Sequence, residues 1–153
     1  MIITDEALLR VDCVDVLPDE VGPLREALEN ELRRSGELGR PGIGLAAPQI
    51  GVAKKMAIVR IPTSNGGVIS VDLVNCREAV GYDKAFFESE GCLSFPGRVE
   101  RTFRFQEVYI VDNLIEPFSF ILLGLPAVCA QHELDHTRKI LLPDVALVNS
   151  RTR

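Results

Sequence analysis

The chain has 153 residues, a formal net charge of −5 at pH 7 and no stripe of basic residues. This length predicts one domain, residues 1–153, with a substantial core, and the acidic balance argues against duplex nucleic acid as the main partner. The most apolar stretch, residues 117–130, is shorter than the roughly 18–20 residues of a spanning helix. Gly124 and Pro126 also interrupt it, so we expect no membrane span.

The N-terminus and the cysteines suggest a compartment. Asp5, Glu6 and Arg10 do not fit a secretory signal, and the four cysteines include no Cys-x-x-Cys pair. Without export these thiols should stay reduced. We expect a cytoplasmic monomer, in the host cytoplasm if a phage encodes the chain. An organelle stroma or matrix is the expectation if a transit peptide precedes this sequence.

The first half of the chain predicts a helix followed by a hairpin. Leucines recur at helical spacing over residues 22–35, which predicts an N-terminal helix that stops at Gly36. Residues 55–61 and 68–74 are rich in β-branched side chains. They flank Ser64-Asn65-Gly66-Gly67, a composition typical of a hairpin turn.

The second half predicts strands and then a helix. Residues 108–111 and 118–123 have strand composition, and a second helix is expected from Leu125 or Pro126 to about Lys139. Because strands and helices do not alternate as βαβ units, we predict an α+β fold with mainly antiparallel sheets.

The segment from His132 to His136 contains both histidines of the chain, with Glu133 between them. Positions i and i+4 share one face of a helix, so both imidazoles can bind one metal ion. Glu133 can then reach the open side of that metal and take a proton from bound water. The pattern predicts a hydrolase. The alternative is two ordinary histidines on an amphipathic helix.

A catalytic site of this kind takes three protein ligands and a water. After His136 there is no Glu and no His, and Asp144 is the only carboxylate, so we expect the third ligand upstream. Cys92 follows Gly91, which lets the backbone come close to a metal, and a thiolate suits zinc or ferrous iron. Taken alone, such a cysteine is more often a buried thiol. Because the histidines lack a partner, Cys92 becomes the candidate third ligand.

Three blocks then carry a family resemblance. They are Gly42-Ile43-Gly44-Leu45-Ala46-Ala47-Pro48-Gln49, Glu90-Gly91-Cys92-Leu93-Ser94, and Gln131 to His136. In this order and spacing they resemble the peptide deformylase family. The resemblance implies an enzyme that removes the N-formyl group from the initiator methionine of nascent polypeptides and releases formate. It also implies sheets wrapped about a central metal-bearing helix.

The resemblance implies a role for each motif residue. Cys92, His132 and His136 would bind the metal, Fe²⁺ by preference, with Zn²⁺, Ni²⁺ or Co²⁺ as substitutes. Glu133 would serve as general base and then as general acid. The remaining implied residues are Gln49 and the Leu93 N–H as oxyanion donors, Ile43, Gly44 and Gly91 for pairing with the peptide backbone, and Leu125, Val128 and Cys129 for the methionine pocket. Core packing is the alternative for the last three.

Charged neighbours of the ligands suggest supporting contacts. Glu90 and Asp135 sit beside ligands, and Arg101 and Arg104 on the following segment could pair with them. Surface ion pairs are the default interpretation of all four residues.

Some features limit the resemblance. Residues 141–153 are too short for the C-terminal helical extension that many bacterial members use for ribosome docking, so only a weak or transient ribosome contact stays open. Two other functions also stay open: a different metalloamidase or peptidase, and a noncatalytic peptide-binding relative with a structural metal.

Overall fold

The protein, described here over residues 1–147 by a computed structural model, combines short helices with two sheets. The helices are α1 (Glu6–Leu9), α2 (Val21–Glu37), α3 (Leu125–His136) and α4 (Leu142–Val145). The strands are β1 (Gly44–Ala46), β2 (Met56–Pro62), β3 (Val68–Val74), β4 (Arg77–Gly91), β5 (Val99–Val111) and β6 (Phe120–Leu123). Within the described range no helix is both long and apolar enough to cross a bilayer.

Each sheet has three antiparallel strands. The strand orders are β1-β2-β3 and β4-β5-β6, with registers such as Leu45 opposite Ile58 and Phe86 opposite Phe103. The predicted α+β fold with mainly antiparallel sheets is confirmed. β1 and β4 are both edge strands, and their unpaired edges become important for the cavity described below.

Helix α2 covers the first sheet. Val21, Leu24 and Leu28 point into a core shared with β1 and β2. The helix was expected, but the stop at Gly36 is wrong, because the chain continues in helical geometry to Glu37. The left-handed conformation that ends the segment falls at Gly39, with φ +83° and an N–H that donates to the Gly36 carbonyl at 3.0 Å.

The β2–β3 hairpin has the predicted strands and turn, and Gly66 in the turn has φ +86°. The longer β4–β5 hairpin was mostly missed, since only residues 108–111 were expected as a strand. Register shifts between Glu78 and Val80 and between Phe87 and Glu90 break the period of two along β4. An irregular and largely exposed strand has no clear alternation to detect.

Helix α3 contacts strands of both sheets. Nine of its 12 residues are buried, so it lacks the polar face of an ordinary surface helix. The Gln131 amide accepts from the Phe105 N–H at 3.0 Å and donates to the Phe105 carbonyl at 2.7 Å, which ties the helix to β5. The helix ends at His136 and not near Lys139, whose φ of +63° is incompatible with a continuing helix.

The C-terminal segment follows a short loop. α4 lies within the described range, whereas residues 148–153 of the predicted short C-terminus lie outside it.

The buried amide of Asn113 joins the two sheets at the loop between β5 and β6. Its Oδ1 accepts from the Val74 N–H at 2.7 Å. Its Nδ2 lies within 3.2 Å of three carbonyl oxygens, those of Asp72, Ile115 and Pro117. This one side chain therefore satisfies backbone groups on β3 and on the loop that precedes β6.

We expect Asn113→Ala to lower the free energy of unfolding by on the order of 2–3 kcal/mol, because buried backbone groups lose their partners. Chemical denaturation of the variant and of the unaltered protein measures this difference in the free energy of unfolding. Asn30→Ala is the matched control, since Asn30 is exposed on α2 and its side chain accepts from Arg33. Equal stability of the two variants would contradict the role of Asn113.

Candidate active site

Three potential metal ligands converge where β4 ends beside α3. The ligand atoms of Cys92, His132 and His136 all lie within 4.8 Å of one another. Cys92 Sγ is 3.4 Å from His136 Nε2. Cys92 directly follows β4, and the histidines lie on one face of α3, so the contact between strand end and helix assembles the cluster. The predicted upstream third residue is therefore in place.

The ring nitrogens are oriented for a metal. His132 Nδ1 is 2.7 Å from Glu90 Oε2, which leaves Nε2 facing the cluster. Burial lowers the pKa of His136 to about 3, so this imidazole is neutral at physiological pH, as a ligand must be. One sulfur and two nitrogens form a donor set that zinc and ferrous iron accept.

The electrostatics around His132 favour a cation. Burial alone would lower its pKa, but Glu133, Cys92 and Glu90 outweigh burial and hold the pKa well above its ordinary value. A divalent ion placed between the three ligand atoms would be stabilised by the same negative groups. The residues present therefore fit a bound metal ion.

Glu133 lies against the first strand of the other sheet. A Cβ built on Gly44 would be 2.4 Å from Glu133 Oε2, so only glycine permits this approach. Burial raises the pKa of Glu133 to about 7. Its Oε1 is buried with no hydrogen-bond partner within residues 1–147. A buried carboxylate with a raised pKa and an unused oxygen is suited to proton transfer.

Gln49 is held so that its amide nitrogen faces Cys92. Its Oε1 accepts from the Ala46 N–H at 2.9 Å. Its Nε2 lies 3.0 Å from Ser94 Oγ and 3.6 Å from Cys92 Sγ. Sequence reasoning missed Ser94, although it closes the second motif block. In the described residues no carbonyl or side chain accepts from the N–H of Leu93, which leaves that donor available.

A cavity of about 530 Å³ opens beside the cluster, between the free edges of β1 and β4. Every predicted substrate residue lines it: Ile43, Gly44, Gly91, Leu125, Val128 and Cys129. Gln49, Cys92, Leu93, His132 and Glu133 line it as well, whereas His136 lies behind them. Val128 and Cys129 are also buried, and Cys129 packs in the core between α3 and the sheets. Cys129 therefore packs in the core and also lines the cavity.

A buried ion cluster supports the histidines. Arg104 donates to both oxygens of Glu90 at 2.9 and 2.6 Å, and to Asp135 Oδ2 at 2.7 Å. Burial raises the pKa of Glu90, but Arg104 and His132 outweigh it and hold the pKa well below its ordinary value. Thr102, which carried no sequence signal, donates to Glu90 Oε1 at 2.8 Å.

Two sequence interpretations of these charges need correction. The default of surface ion pairs is wrong for Glu90 and Arg104, which are only 4% and 6% exposed. The alternative pairing of Arg101 with Glu90 or Asp135 is wrong as well, whereas the default of a surface ion pair is correct for Arg101. Arg101 lies on the opposite face of β5 from Arg104 and pairs with the exposed Glu88 at 3.1 Å, because side chains alternate along a strand.

The geometry suits amide hydrolysis: a metal-type ligand triad, a neighbouring base and convergent N–H donors.

Comparison with known proteins gives the class. The family described as Polypeptide deformylase matches residues 3–151. A peptide deformylase from Syntrophomonas wolfei is 35% identical over 140 residues, which cover 87% of this chain and 88% of that protein.

Further relatives agree. A peptide deformylase from Aquifex aeolicus is 34% identical over 134 residues, covering 86% of this chain and 76% of that protein. The crystal structure of a probable peptide deformylase from Synechococcus phage S-SSM7 matches with a TM-score of 0.81 at 29% identity, covering 95% of this chain and 98% of that chain. The chain belongs to the peptide deformylase family.

We expect Gly44→Ala to lower turnover by on the order of a hundredfold, because the added methyl group displaces the Glu133 carboxylate. Gly36→Ala is the control, since Gly36 is helical with open space around it and should gain about 0.4–1 kcal/mol of stability. Steady-state kinetics and thermal unfolding of both variants test this. Full activity of folded Gly44→Ala would show that Glu133 tolerates displacement.

We expect Arg104→Ala to lose about 3–5 kcal/mol of stability, because Glu90 and Asp135 lose the buried cation that pairs with both of them. Metal affinity should fall about 10- to 100-fold as His132 loses its orientation. Arg101→Ala removes the exposed pair with Glu88 and an exposed contact with the Phe86 ring, so it should leave metal affinity unchanged and cost at most about 1 kcal/mol of stability. Denaturation and metal titration of the two variants are the measurements. Unchanged metal binding in Arg104→Ala would remove Arg104 from the site.

Proposed function

We propose that Cys92, His132 and His136 hold one divalent metal ion and that Glu133 is the general base beside it. The enzyme removes the formyl group from the N-terminus of nascent polypeptides, as its family does. The observation that carries our assignment is the convergence of three ligand atoms next to a buried carboxylate with an unpaired oxygen. On this proposal α3 is the central metal-binding helix of the fold.

The metal that we propose is Fe²⁺, with Zn²⁺, Ni²⁺ or Co²⁺ as substitutes, because a thiolate and two imidazoles accept all four. When bound, such an ion lowers the pKa of a water at its open position and polarises the formyl oxygen. Glu90 keeps His132 in the orientation that this ligand set needs.

Glu133 handles the proton. Its Oε1 accepts a proton from the attacking water and then delivers it to the departing amine, so one residue acts first as base and then as acid. Burial raises the pKa of Glu133 to about 7, which favours the protonated form that delivers the proton in the second half of this cycle.

Gln49 and Leu93 stabilise the charge that develops on the formyl oxygen. The Gln49 amide is pre-oriented by Ala46 and Ser94, and the Leu93 N–H is available. Preorganised donors of this kind each contribute on the order of a hundred- to a thousandfold in rate.

The peptide binds between two sheet edges. Ile43 and Gly44 on one side and Gly91 on the other offer backbone groups to an extended chain. Leu125, Val128 and Cys129 form an apolar, polarizable wall that fits the methionine thioether. Burial raises the pKa of Cys129 to about 12, so we assign this thiol a packing role rather than a nucleophilic one.

We further propose that residues 1–153 act as one catalytic domain and as a monomer, with at most transient ribosome contact. A metallopeptidase is the alternative, because the same ligands and base can hydrolyse an internal peptide bond.

The decisive measurement is formate release from formyl-Met-Ala by enzyme loaded anaerobically with iron, compared with enzyme loaded with zinc. We expect formate and intact Met-Ala as products, with the iron form faster. The Glu133→Gln variant should keep its fold and its bound metal, but its turnover should fall by about 10²- to 10⁴-fold.

The products separate the alternatives. Release of free alanine would indicate a peptidase, and a Glu133→Gln enzyme with normal turnover would refute the assigned base. Bound metal without hydrolysis of any peptide would indicate a noncatalytic relative.

A further inference from the structure

The open end of the cavity is lined by two exposed arginines, Arg40 and Arg98. The carboxylates that line the cavity are Glu90 and Glu133, both only 4% exposed. Glu90 is already paired with Arg104, and Glu133 lies beside the metal-type cluster. The exposed charge of the cavity is therefore positive, although the chain as a whole carries −5.

Both arginines stand on anchored backbone. The Arg40 N–H donates to the Ser35 carbonyl at 2.8 Å, and the Arg40 carbonyl accepts from Ser35 Oγ at 2.6 Å. The Arg98 N–H donates to the Phe95 carbonyl at 3.1 Å. The guanidinium groups therefore extend from fixed points on opposite walls of the cavity.

Neither arginine is fully neutralised by a neighbouring carboxylate. Among residues 1–147 the exposed Arg98 meets one carboxylate, that of the partly buried Glu100, at a long 3.6 Å. Arg40 has no carboxylate within 4 Å among residues 1–147. Exposed pairs of the Arg98 kind are weak, so both cations remain available to a ligand.

The direction of the substrate brings its later residues to this end. On the proposed function the formyl group reaches Cys92 and Gln49. The lining of the cavity extends from Gly44 through Gly42 to Arg40, so we infer that the peptide continues in that direction. Gly42 packs so closely on Leu93 that a Cβ there would be 2.6 Å from the leucine side chain. The wall that leads to Arg40 thus contacts the side chain of Leu93.

We propose that Arg40 and Arg98 select formylated peptides with an aspartate or glutamate in the two residues after formyl-methionine. The proposal rests on the deformylase function above and adds a substrate preference to it. A substrate carboxylate forms charge-assisted hydrogen bonds with the guanidinium groups, whereas a lysine at the same position is repelled.

The test compares peptides that differ only in charge. Formyl-Met-Ala-Ala-Ala-amide is the reference, and Glu or Lys replaces alanine at the second or third position; the C-terminal amide removes a competing carboxylate. We expect kcat/KM for the better Glu peptide to exceed the reference about three- to fivefold at low salt, with the Lys peptide lower by a similar factor. The differences in kcat/KM among the Glu, Ala and Lys peptides should decrease at high ionic strength.

Variants identify the residues responsible. Arg40→Glu should invert the order of the Glu and Lys peptides, and Arg98→Gln should reduce their ratio. Arg33→Gln is the matched control, because Arg33 is exposed on α2 outside the cavity and bonds to Asn30. In this variant the ratio of kcat/KM for the Glu peptide to that for the Lys peptide should equal the ratio in the unaltered enzyme. If Arg40→Glu fails to fold, Arg98→Gln and the salt series still decide.

The outcomes separate this proposal from the function on which it rests. Equal kcat/KM for Glu, Ala and Lys peptides, with formate released from all of them, would overturn the charge preference and leave the deformylase assignment standing. A preference that persists unchanged in Arg40→Glu and Arg98→Gln would overturn it as well. No formate from any peptide would overturn both.

Discussion

The site depends on the hydrogen bonds that the Glu90 carboxylate makes. This carboxylate lies at the end of β4, accepts from Thr102 and Arg104 on β5, and orients His132 on α3. Arg104 extends the cluster to Asp135, the residue before the second histidine. The hairpin strands β4 and β5 and the later helix α3 are thus held at one point. Since a single carboxylate satisfies all these donors, a shift of any one element disturbs the others.

The two sheets contribute to the site through edges rather than faces. β1 and β4 each leave one edge unpaired, and α3 packs against both sheets between them. An unpaired edge is normally a liability, because it invites association with another strand. Here the edges flank the cavity, so the same unsatisfied backbone groups can serve an extended peptide. The arrangement of the two sheets therefore also determines where an extended peptide can bind.

Much of the site could be predicted from the sequence because its chemistry is local. His132 and His136 are one helical turn apart, and Cys92 and Gln49 sit in short blocks with a defined pattern. What escaped prediction depends on contacts across the fold. The burial of Arg104 could not be foreseen, because nothing near it in sequence distinguishes it from the exposed Arg101. β4 escaped because bulges break its alternation.

Glu90 and Glu133 show how one residue type takes two roles a short distance apart. Both are 4% exposed, so burial disfavours the charged form of each. Glu90 has Arg104, Thr102 and His132 as partners and stays ionised. Glu133 keeps one oxygen unpaired, which costs on the order of 1–3 kcal/mol, and its pKa rises to about 7.

A fold that satisfies the first carboxylate so completely could have satisfied the second. Glu133 lines the cavity, and Gly44, which has no side chain, leaves room for its carboxylate. A local rule broken at one position, beside a neighbour that obeys it, is typical of a group kept for chemistry rather than for stability. The contrast therefore distinguishes Glu90, which supports His132, from Glu133, the base that we propose.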